Sequence, residues 1–576
     1  MKCIAGVVSQ RDNQTTMLAV SGQMSRIGLG LLFLCCLFLS MGDTRSLQPS
    51  QKIDGLIYSA SKTYRAAVYE HDVIVPAKTN TPVTRREALE NMQKNLDVYK
   101  VQAEAANEKG AQILVFPEDG LYGYEFTRDT IYPYLEAIPD PDSVTWSPCS
   151  DPERFPETQV LRWLSCLAQN NSLYLVANMG DKVSCEPDID SKCPSDKRYQ
   201  YNTAVAFGPD GKLLAKYHKY NLFYESQFNK PKPEVKYFDT PFGRFGFLIC
   251  FDILFEEPAV PMVTSHGIKN IVFPTAWMDA LPLLSAIGYH SSFARGFRVN
   301  VLAANIHRPA YRFQGSGLYT PEGMKEFYYN RTNTPEPRLL VADLKVLSET
   351  PSNSTSEKRH NSVRDEKCIP REFIDELSIP PHFHSEQDEQ RNQRLAKIDP
   401  QHHIARTKDF FVKTARTSVS ELRAKPFNNK GYTFLPLDSV FPFATTCQGQ
   451  VCCYLTYELT NKSSSELFVL GAFDGVFHGK YYFQTCAVLR CPTTNHSTCG
   501  SYTFDSDTGF RRLELTAEVQ TPFVLPQAVL SDGGQLQLAP ADQWGFHHRM
   551  TLKFEPGLTK PLIEAAIIGR DYERDL

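Results

Sequence analysis

The sequence lacks an excess of charge of either sign. Its 61 lysines and arginines nearly balance 65 aspartates and glutamates, so the formal net charge is −4. Proteins that bind nucleic acid usually present a strongly basic face. This composition therefore gives no reason to expect a nucleic-acid partner.

The sequence also has few long hydrophobic runs. Beyond residue 41 no stretch is long and apolar enough to span a bilayer, and the polar end, Gly569 to Leu576, lacks the hydrophobic tail that a glycolipid anchor requires. The one long run, Ile27 to Met41, follows Arg26 and fits the h-region of a signal peptide, with a signal anchor as the alternative. We expect a signal peptide with a long n-region over residues 1–46 and a soluble, secreted protein without a membrane anchor.

Cysteine usage is consistent with secretion. Three of the 15 cysteines lie in the leader, which leaves 12. Cys185 and Cys193 are close enough in sequence to predict a local disulfide, and six more cysteines crowd into the C-terminal part. If one cysteine stays free for chemistry, at least one more is unpaired. Five N-x-S/T sequons also favour the secretory route as candidate glycosylation sites: Asn170, Asn330, Asn353, Asn461 and Asn495.

Strand and helix patterns alternate through the first part of the chain. A strand pattern, Ala66 to Glu70, precedes a capping box at Thr84 and Glu87 and a helix that ends at Gly110; a second strand, Gln112 to Glu118, completes a β–α–β unit. Residues 64–349 are therefore predicted to form an α/β domain. Further patterns predict helices at Val160–Ala168 and Leu281–Arg298, a hairpin around Gly208–Gly211, and strands at Leu173–Ala177, Phe245–Cys250, Lys269–Pro274 and Val299–Asn305.

Composition changes near residue 350. Residues 350–430 are polar and charged, which predicts a linker or a poorly ordered insertion. Residues 431–576 show short strand patterns and many cysteines, which predicts a β-rich, disulfide-bonded domain whose expected role is to support the first. Four histidines in the polar stretch are interpreted as incidental, not as metal ligands: His382, His384, His402 and His403.

Three reactive side chains lie at the ends of predicted strands of the α/β domain, where reacting groups tend to gather. They are Glu118, Lys219 and Cys250. Alone, each has an ordinary explanation: a cap or ion-pair partner, a solvated charge, and a half-cystine or buried thiol. Together they supply a base, a cation and a nucleophile for thiol-based C–N hydrolysis. A nearby ammonium and turn amides are expected to enlarge the thiolate fraction.

The flanking sequences resemble the carbon–nitrogen hydrolase (nitrilase) superfamily, in the branch that contains the biotinidases and the vanins, which are pantetheinases. The resemblance extends from Ala66 to the C-terminus except for the 351–430 stretch. It rests on the Glu, Lys and Cys elements and on five further segments: Arg198–Thr203, Cys250–Phe255, Phe273–Met278, Gly315–Gly317 and Gly569–Glu573.

The resemblance implies an αββα sandwich for the first domain and no metal or organic cofactor. It also implies roles for Glu118 as the base, Lys219 as the oxyanion-stabilising cation, and Cys250 as the nucleophile. Glu225 matches a second glutamate that positions the lysine or the amine. Trp277 is a candidate for the wall of the acyl pocket, with core packing an equally good account.

Local details lean toward the biotinidases, among them Phe116–Gly120 and Asn300–Asn305, whereas Tyr217–Lys219 is closer to the vanins. The expected substrate is the amide of biocytin or of a biotinyl-peptide, and the alternative is pantetheine. A non-catalytic vitamin-binding glycoprotein is an alternative of another class. A papain-like peptidase is weaker, since no histidine stands in a motif that would pair with Cys250.

Overall fold

The computed structural model describes residues 62–334, 336–347, 431–437, 442–460, 462–477 and 480–576. These residues belong to one compact unit, residues 60–576. The predicted signal peptide and polar segment, the four histidines within that segment, Asn353 and Asn461 lie outside the described residues. The predicted domain boundaries stay a prediction.

Between residues 62 and 347 the described chain alternates strands and α-helices. In chain order they are β1 (Thr63–Glu70), α1 (Arg85–Glu108), β2 (Ile113–Val115), α2 (Arg128–Ile131), α3 (Gln159–Asn170), β3 (Tyr174–Ser184), β4 (Arg198–Phe207), β5 (Leu213–His218), β6 (Tyr237–Thr240), β7 (Gly243–Phe247), α4 (Ala259–Thr264), β8 (Asn270–Pro274), α5 (Ala286–Phe297), β9 (Asn300–Ala304), β10 (Ser316–Thr320), β11 (Gly323–Tyr328) and β12 (Arg338–Lys345). Short 3-10 helices lie at Tyr132–Tyr134, Pro152–Arg154, Cys250–Leu254 and Pro309–Tyr311.

The predicted β–α–β unit is confirmed. The Thr84 side chain accepts a hydrogen bond from the backbone of Glu87, and the Glu87 carboxylate accepts one from the backbone of Thr84, which satisfies orphan donors at the start of α1. The helix ends at Glu108, and Gly110 has a φ of 72°, the left-handed conformation that glycine adopts readily after a helix. Strands β1 and β2 then pair in parallel.

Two six-stranded sheets form the centre of this part. Their strand orders are β12-β1-β2-β3-β4-β5 and β11-β10-β9-β8-β7-β6. Alternation along β1 shows how they pack: Ala66 and Val68 join a core shared with the second sheet, while Ala67 and Tyr69 face the apolar side of α1. Since helices cover the outer faces, the expected αββα sandwich is confirmed.

Two predicted elements differ from the structure. The helix predicted from Leu281 begins at Ala286, because the Ser285 hydroxyl caps it by accepting from Gly288 and the preceding backbone bridges Ala280 to Leu284. The strand predicted to reach Cys250 ends at Phe247. Apolar patterns gave the correct element types but not these boundaries.

The remaining described residues form two packed antiparallel sheets, as the β-rich prediction required. The first has the order β13-β16-β17-β23-β19-β20 and the second β14-β15-β18-β22-β21. Their strands are β13 (Thr433–Pro436), β14 (Phe443–Gln448), β15 (Val451–Thr460), β16 (Leu467–Phe477), β17 (Tyr481–Cys491), β18 (Gly509–Glu518), β19 (Val524–Asp532), β20 (Gln535–Leu538), β21 (Trp544–His547), β22 (Thr551–Phe554) and β23 (Leu562–Arg570), with 3-10 helices at His496–Thr498 and Tyr572–Arg574.

The first of these sheets packs against α5. At Gly296 a Cβ atom would lie 2.6 Å from the Val524 carbonyl oxygen, so glycine lets helix and strand approach closely. The shared core contains Phe247 from the αββα sandwich and Leu525 and Ile568 from the C-terminal sheets. The sandwich and the β-rich part therefore bury apolar surface against each other.

Ten of the described cysteines form five disulfides, including the predicted Cys185–Cys193 bridge. The others are Cys149–Cys166, Cys447–Cys452, Cys453–Cys486 and Cys491–Cys499. Among the described residues Cys250 is the free cysteine. The remaining cysteine beyond the leader, Cys368, lies outside them.

Candidate active site

The structure brings the three predicted strand-end groups to one buried place. Glu118 follows β2, Lys219 follows β5, and Cys250 opens the 3-10 helix after β7. Exposed fractions are 2% for Glu118, 2% for Lys219 and 7% for Cys250. Since β2 and β5 belong to one sheet and β7 to the other, the group lies where the two sheets of the sandwich meet.

Glu118 is held by three hydrogen bonds. Its Oε1 accepts from Lys219 Nζ at 2.6 Å and from Asn202 Nδ2 at 2.8 Å, and its Oε2 accepts from the Ala276 backbone amide at 2.9 Å. These donors come from β4, from the residue after β5, and from the loop after β8. The carboxylate is therefore fixed in orientation by both sheets.

Glu225 completes the polar cluster. Its Oε1 accepts from Lys219 Nζ and, at 3.0 Å, from the Phe223 backbone amide, while its Oε2 accepts from Asn202 Nδ2 at 2.8 Å. Lys219 therefore donates to two carboxylates at once. An ammonium has three N–H donors, which leaves one for another acceptor.

Asn202 was not singled out as a site residue from the sequence, although it lies in the Arg198–Thr203 segment. Its Nδ2 donates to both carboxylates of the cluster, its Oδ1 accepts from Asn178 at 2.6 Å, and its backbone carbonyl accepts from the Lys219 amide at 2.8 Å. The signal that could have identified Asn202 was its position on a predicted strand within a recognised segment. Its hydrogen-bond partners lie far away in the sequence, so no local pattern indicated them.

The backbone at Cys250 is unusual. Its φ is 46°, in the left-handed region that residues other than glycine enter only where surrounding contacts impose it. Asp252 provides some of those contacts: its carboxylate accepts from the Ile249 amide at 3.1 Å, the Asn221 amide at 2.8 Å and the Tyr217 hydroxyl at 2.8 Å. It therefore joins the turn of Cys250 to the loop that follows Lys219.

The charges of the cluster act on the thiol. Burial raises the pKa of Cys250 well above its ordinary value, and the Glu118 charge raises it further, whereas Lys219 and the Ala276 amide lower it. Lys219 and the Ala276 amide therefore act in the expected direction, but burial and the Glu118 charge outweigh them, so the net shift of the pKa disfavours the thiolate. Desolvation is the largest of these effects, and it disfavours the anion.

Burial also shapes the charges of the cluster itself. It opposes the Lys219 ammonium, but the charges of Glu118 and Glu225 outweigh it and raise the pKa of Lys219 well above its ordinary range. Burial raises the pKa of Glu225, Lys219 counteracts this, and the Glu118 charge adds to it. Lysine thus stays charged near neutral pH, in a site that resists the addition of further negative charge.

Trp277 lies one residue beyond the amide that binds Glu118. Its ring is stacked on Tyr289 at a centroid distance of 5.8 Å, it contacts His290 edge-on, and its Nε1 donates to the Leu284 carbonyl at 2.9 Å. These contacts place the indole in the core beside the site, so its role in an acyl pocket stays a prediction.

The described residues contain no cluster of three or more His, Cys, Asp or Glu side chains arranged to hold a metal ion. In the same residues no helix has both the length and the hydropathy needed to cross a membrane. The side chains that converge on Cys250 are those of acid–base and nucleophilic chemistry.

Comparison with known proteins gives the family. Residues 80–288 match the model for the carbon-nitrogen hydrolase family, and residues 423–575 match the Vanin C-terminal domain. A pantetheinase from Mus musculus is 42% identical over 522 residues, which cover 90% of each chain, and a biotinidase from Mus musculus is 38% identical over 554 residues, which cover 96% of this chain and 99% of that one. The chain belongs to the carbon–nitrogen hydrolase superfamily.

Within that superfamily it lies in the branch of the pantetheinases and biotinidases, and it is a hydrolase that acts on amide C–N bonds. The pantetheinase of Homo sapiens is 40% identical to this chain and the biotinidase of Homo sapiens is 37% identical to it, so the two relatives are similar to it to nearly the same degree. A crystal structure of an amidase from Nesterenkonia sp. matches 50% of this carbon–nitrogen hydrolase and 93% of that chain, with 21% identity and a TM-score of 0.34.

Proposed function

We propose that the protein hydrolyses the amide of biocytin or of short biotinyl-peptides and releases biotin through a thioester on Cys250. The observation that carries the proposal is a free thiol beside a buried, hydrogen-bonded Glu118–Lys219 pair. This pair supplies the base and the cation that attack on an amide requires.

In the first half-reaction Cys250 Sγ attacks the amide carbonyl while its proton passes to Glu118. A thiol with a raised pKa needs this transfer, because the anion alone is disfavoured in the site. The negative charge on the carbonyl oxygen meets the third N–H of Lys219 and the backbone amide of Phe251. Glu118 then gives its proton to the departing amine nitrogen, the C–N bond breaks, and the thioester remains.

In the second half-reaction water replaces the amine. Glu118 takes a proton from the water as its oxygen attacks the thioester carbonyl, and Lys219 again stabilises the oxyanion. Collapse breaks the C–S bond and returns a proton to Sγ. The carboxylic acid leaves, and no group outside the chain is needed to balance the step.

Glu225 and Asn202 act as positioning residues in this proposal. Each residue forms a hydrogen bond with a member of the catalytic pair: Glu225 accepts one from Lys219, and Asn202 donates one to Glu118. Holding Lys219 between two carboxylates fixes the direction of its remaining N–H. That orientation supports an oxyanion better than a mobile, solvated ammonium would.

Pantetheine is the second candidate substrate, and the relatives favour keeping it. The Mus musculus pantetheinase is 42% identical over 90% of this chain, and the biotinidase of the same organism is 38% identical over 96% of it. Both substrates are amides with slim acyl groups, and both would pass through the same steps on Cys250. The choice between them depends on the acyl pocket, not on the reacting groups.

Steady-state kinetics on biocytin and on pantetheine test the substrate. A higher kcat/KM for biocytin supports the proposal, and a clear preference for pantetheine overturns it in favour of the second candidate. Mass spectrometry of the quenched reaction would find the acyl group on the Cys250 peptide, and its mass identifies the acid.

Cys250→Ser is the matched variant for the nucleophile. We expect it to fold and to be secreted with its five disulfides while losing turnover of both amides, because an alcohol is a far weaker nucleophile in this site. If neither the wild type nor the variant hydrolyses either amide, the non-catalytic vitamin-binding alternative is supported instead.

We also propose that the protein is secreted and glycosylated. Asn170 at the end of α3 and Asn495 are exposed, and Asn330 is partly exposed. Expression in a secreting cell followed by peptide N-glycosidase digestion would shift the mass at these positions. Unmodified peptides at all of them would contradict the proposal.

A further inference from the structure

The buried arginine at the end of β23, Arg570, belongs to the Gly569–Glu573 segment that the sequence resemblance singled out and that the proposed mechanism does not use. Its side chain is fully buried, and no described side chain with so little exposure is larger. Burying a guanidinium is unfavourable unless its donors are satisfied. The contacts made by those donors therefore indicate what the residue is for.

Arg570 contacts the turn that carries the nucleophile. Its Nε and Nη2 donate to the Leu254 carbonyl oxygen at 3.2 and 2.8 Å. Leu254 is the last residue of the 3-10 helix that Cys250 begins. A carbonyl at a helix end has no partner within the helix, so the C-terminal part of the chain satisfies it from 316 positions away.

The other N–H groups of Arg570 fix it to its own region. Nη1 and Nη2 donate to the two carboxylate oxygens of Asp575 at 2.9 and 2.7 Å, and Nη1 also donates to the Tyr482 carbonyl at 2.7 Å. Asp575 in turn accepts from the Tyr482 amide at 2.7 Å. All five N–H donors of the guanidinium are thereby used, in a planar arrangement that lysine cannot reproduce.

Aromatic rings extend the same contact. The Arg570 guanidinium lies 4.3 Å from the centroid of Tyr572 and 6.0 Å from that of Tyr481. The Tyr481 ring packs edge-on against Phe251 and Phe255, with centroids 5.9 and 5.5 Å apart. Phe251 follows the nucleophile directly, so the C-terminal sheet also contacts the side chain next to Cys250.

We propose that Arg570 is a positioning residue for the reaction, which holds the left-handed conformation of Cys250 by anchoring the far end of its turn. Asp252 fixes the near end through the Ile249 amide. With both ends held, the φ of 46° at Cys250 is maintained although it is unfavourable for a side-chain-bearing residue. The inference rests on the proposed role of Cys250 and gives the C-terminal region a function beyond support.

The test is Arg570→Lys, with Arg574→Lys as its matched control. Arg574 lies just beyond that segment, at the end of the 3-10 helix Tyr572–Arg574, and its side chain is 42% exposed. Two quantities are measured on secreted, disulfide-intact protein: kcat and KM on the better amide, and the rate of alkylation of the Cys250 peptide by iodoacetamide as a function of pH. The second does not require any particular substrate.

We expect Arg570→Lys to lower kcat at least tenfold with KM changed less than threefold, and to change the alkylation rate at Cys250 at least fivefold. Arg574→Lys should stay within twofold of wild type in both. A purely structural role predicts a lower melting temperature but unchanged kcat per alkylatable Cys250 and an unchanged alkylation profile. That result would overturn the proposal.

Asp575→Asn gives a milder perturbation if Arg570→Lys is not secreted. It retains the shape of the partner but removes its charge, and we expect a decrease in kcat of about threefold with a smaller change in alkylation. Wild-type values for both would reject the positioning role. If no amide is turned over by wild type, the proposed function fails, but the alkylation comparison still decides the role of Arg570.

Discussion

Asn202→Asp replaces the amide that bridges the two buried carboxylates with a third acid of nearly the same shape. Asn202 Nδ2 lies 2.8 Å from both Glu118 Oε1 and Glu225 Oε2. The substitution removes two hydrogen bonds to charged acceptors, each worth about 1.5–3 kcal/mol. It also adds a like charge, so we expect the free energy of unfolding to fall by about 3–6 kcal/mol at pH 8.

The loss should depend on pH. A carboxyl introduced between two acids has a folded-state pKa above its unfolded value, so the folded state binds more protons over the intervening pH range. The effect of its charge is fully present above the folded pKa and disappears as the pH falls toward the unfolded value of about 4, where the protonated carboxyl, with one O–H, replaces one of the two lost donors. The difference between variant and wild type should therefore shrink between pH 8 and pH 5.

Urea unfolding midpoints of both proteins at pH 5, 6, 7 and 8, followed by fluorescence, measure this difference. Asn91→Asp is the control, because the Asn91 amide donates at 3.0 Å to the Tyr134 hydroxyl, which can equally well donate to a carboxylate. We expect the control to change stability by less than about 1 kcal/mol. A loss below about 1 kcal/mol for Asn202→Asp at pH 8, with no trend in pH, would refute the bridging role.

Three further outcomes follow from the structure. Burial raises the pKa of Glu564 from 4.5 to about 7, so the folded form binds a proton that the unfolded form releases. The free energy of unfolding therefore falls by up to about 1.4 kcal/mol per pH unit as the pH rises from 4.5 to 7. Glu564→Gln should flatten that part of a profile of melting temperature against pH, and an unchanged slope would contradict this. Replacing both Cys453 and Cys486 with alanine removes a disulfide that joins two sheets and closes a 33-residue loop. The free energy of unfolding in urea should fall by about 3–4 kcal/mol. A fall of less than about 1 kcal/mol would show that the denatured chain gains little conformational freedom. Gly296→Ala places a Cβ atom 2.6 Å from the Val524 carbonyl oxygen and should lower stability by about 1–3 kcal/mol, whereas an unchanged melting temperature would show that helix and strand separate without cost.

Local sequence signals predicted much of the fold. The capping box at Thr84, the glycine after α1 and the Gly208–Gly211 turn act over a few residues, and the structure confirms each. The predicted start of α5 was wrong because its apolar pattern extends into a loop whose backbone groups form hydrogen bonds outside the helix. In that loop the Leu283 amide donates to Glu564, a partner 281 positions away that no local pattern reveals.

The candidate site likewise contains residues that local sequence signals mark and residues whose partners lie far away in the sequence. Glu118, Lys219 and Cys250 could be selected because strand-end positions and recognised segments mark them, and the structure brings the first two into hydrogen-bonding contact. The bridge through Asn202 and the anchor through Arg570 depend on pairs that lie far apart in sequence. The pKa of the Cys250 thiol depends most on its burial, which the sequence does not reveal, so the expected effect of Lys219 and the turn amides had the right sign but did not decide the net shift.

The raised pKa of Cys250 has a consequence for the survival of a free thiol beside the five disulfides of the described residues. Disulfide exchange proceeds through the thiolate, so a thiol that stays protonated attacks cystines slowly. Burial in the site, together with the Glu118 charge, favours the neutral form of Sγ. In the proposed mechanism, proton transfer to Glu118 therefore accompanies attack and does not precede it. A site that disfavours the resting thiolate would in this way make Cys250 selective for a substrate that brings its carbonyl oxygen to Lys219.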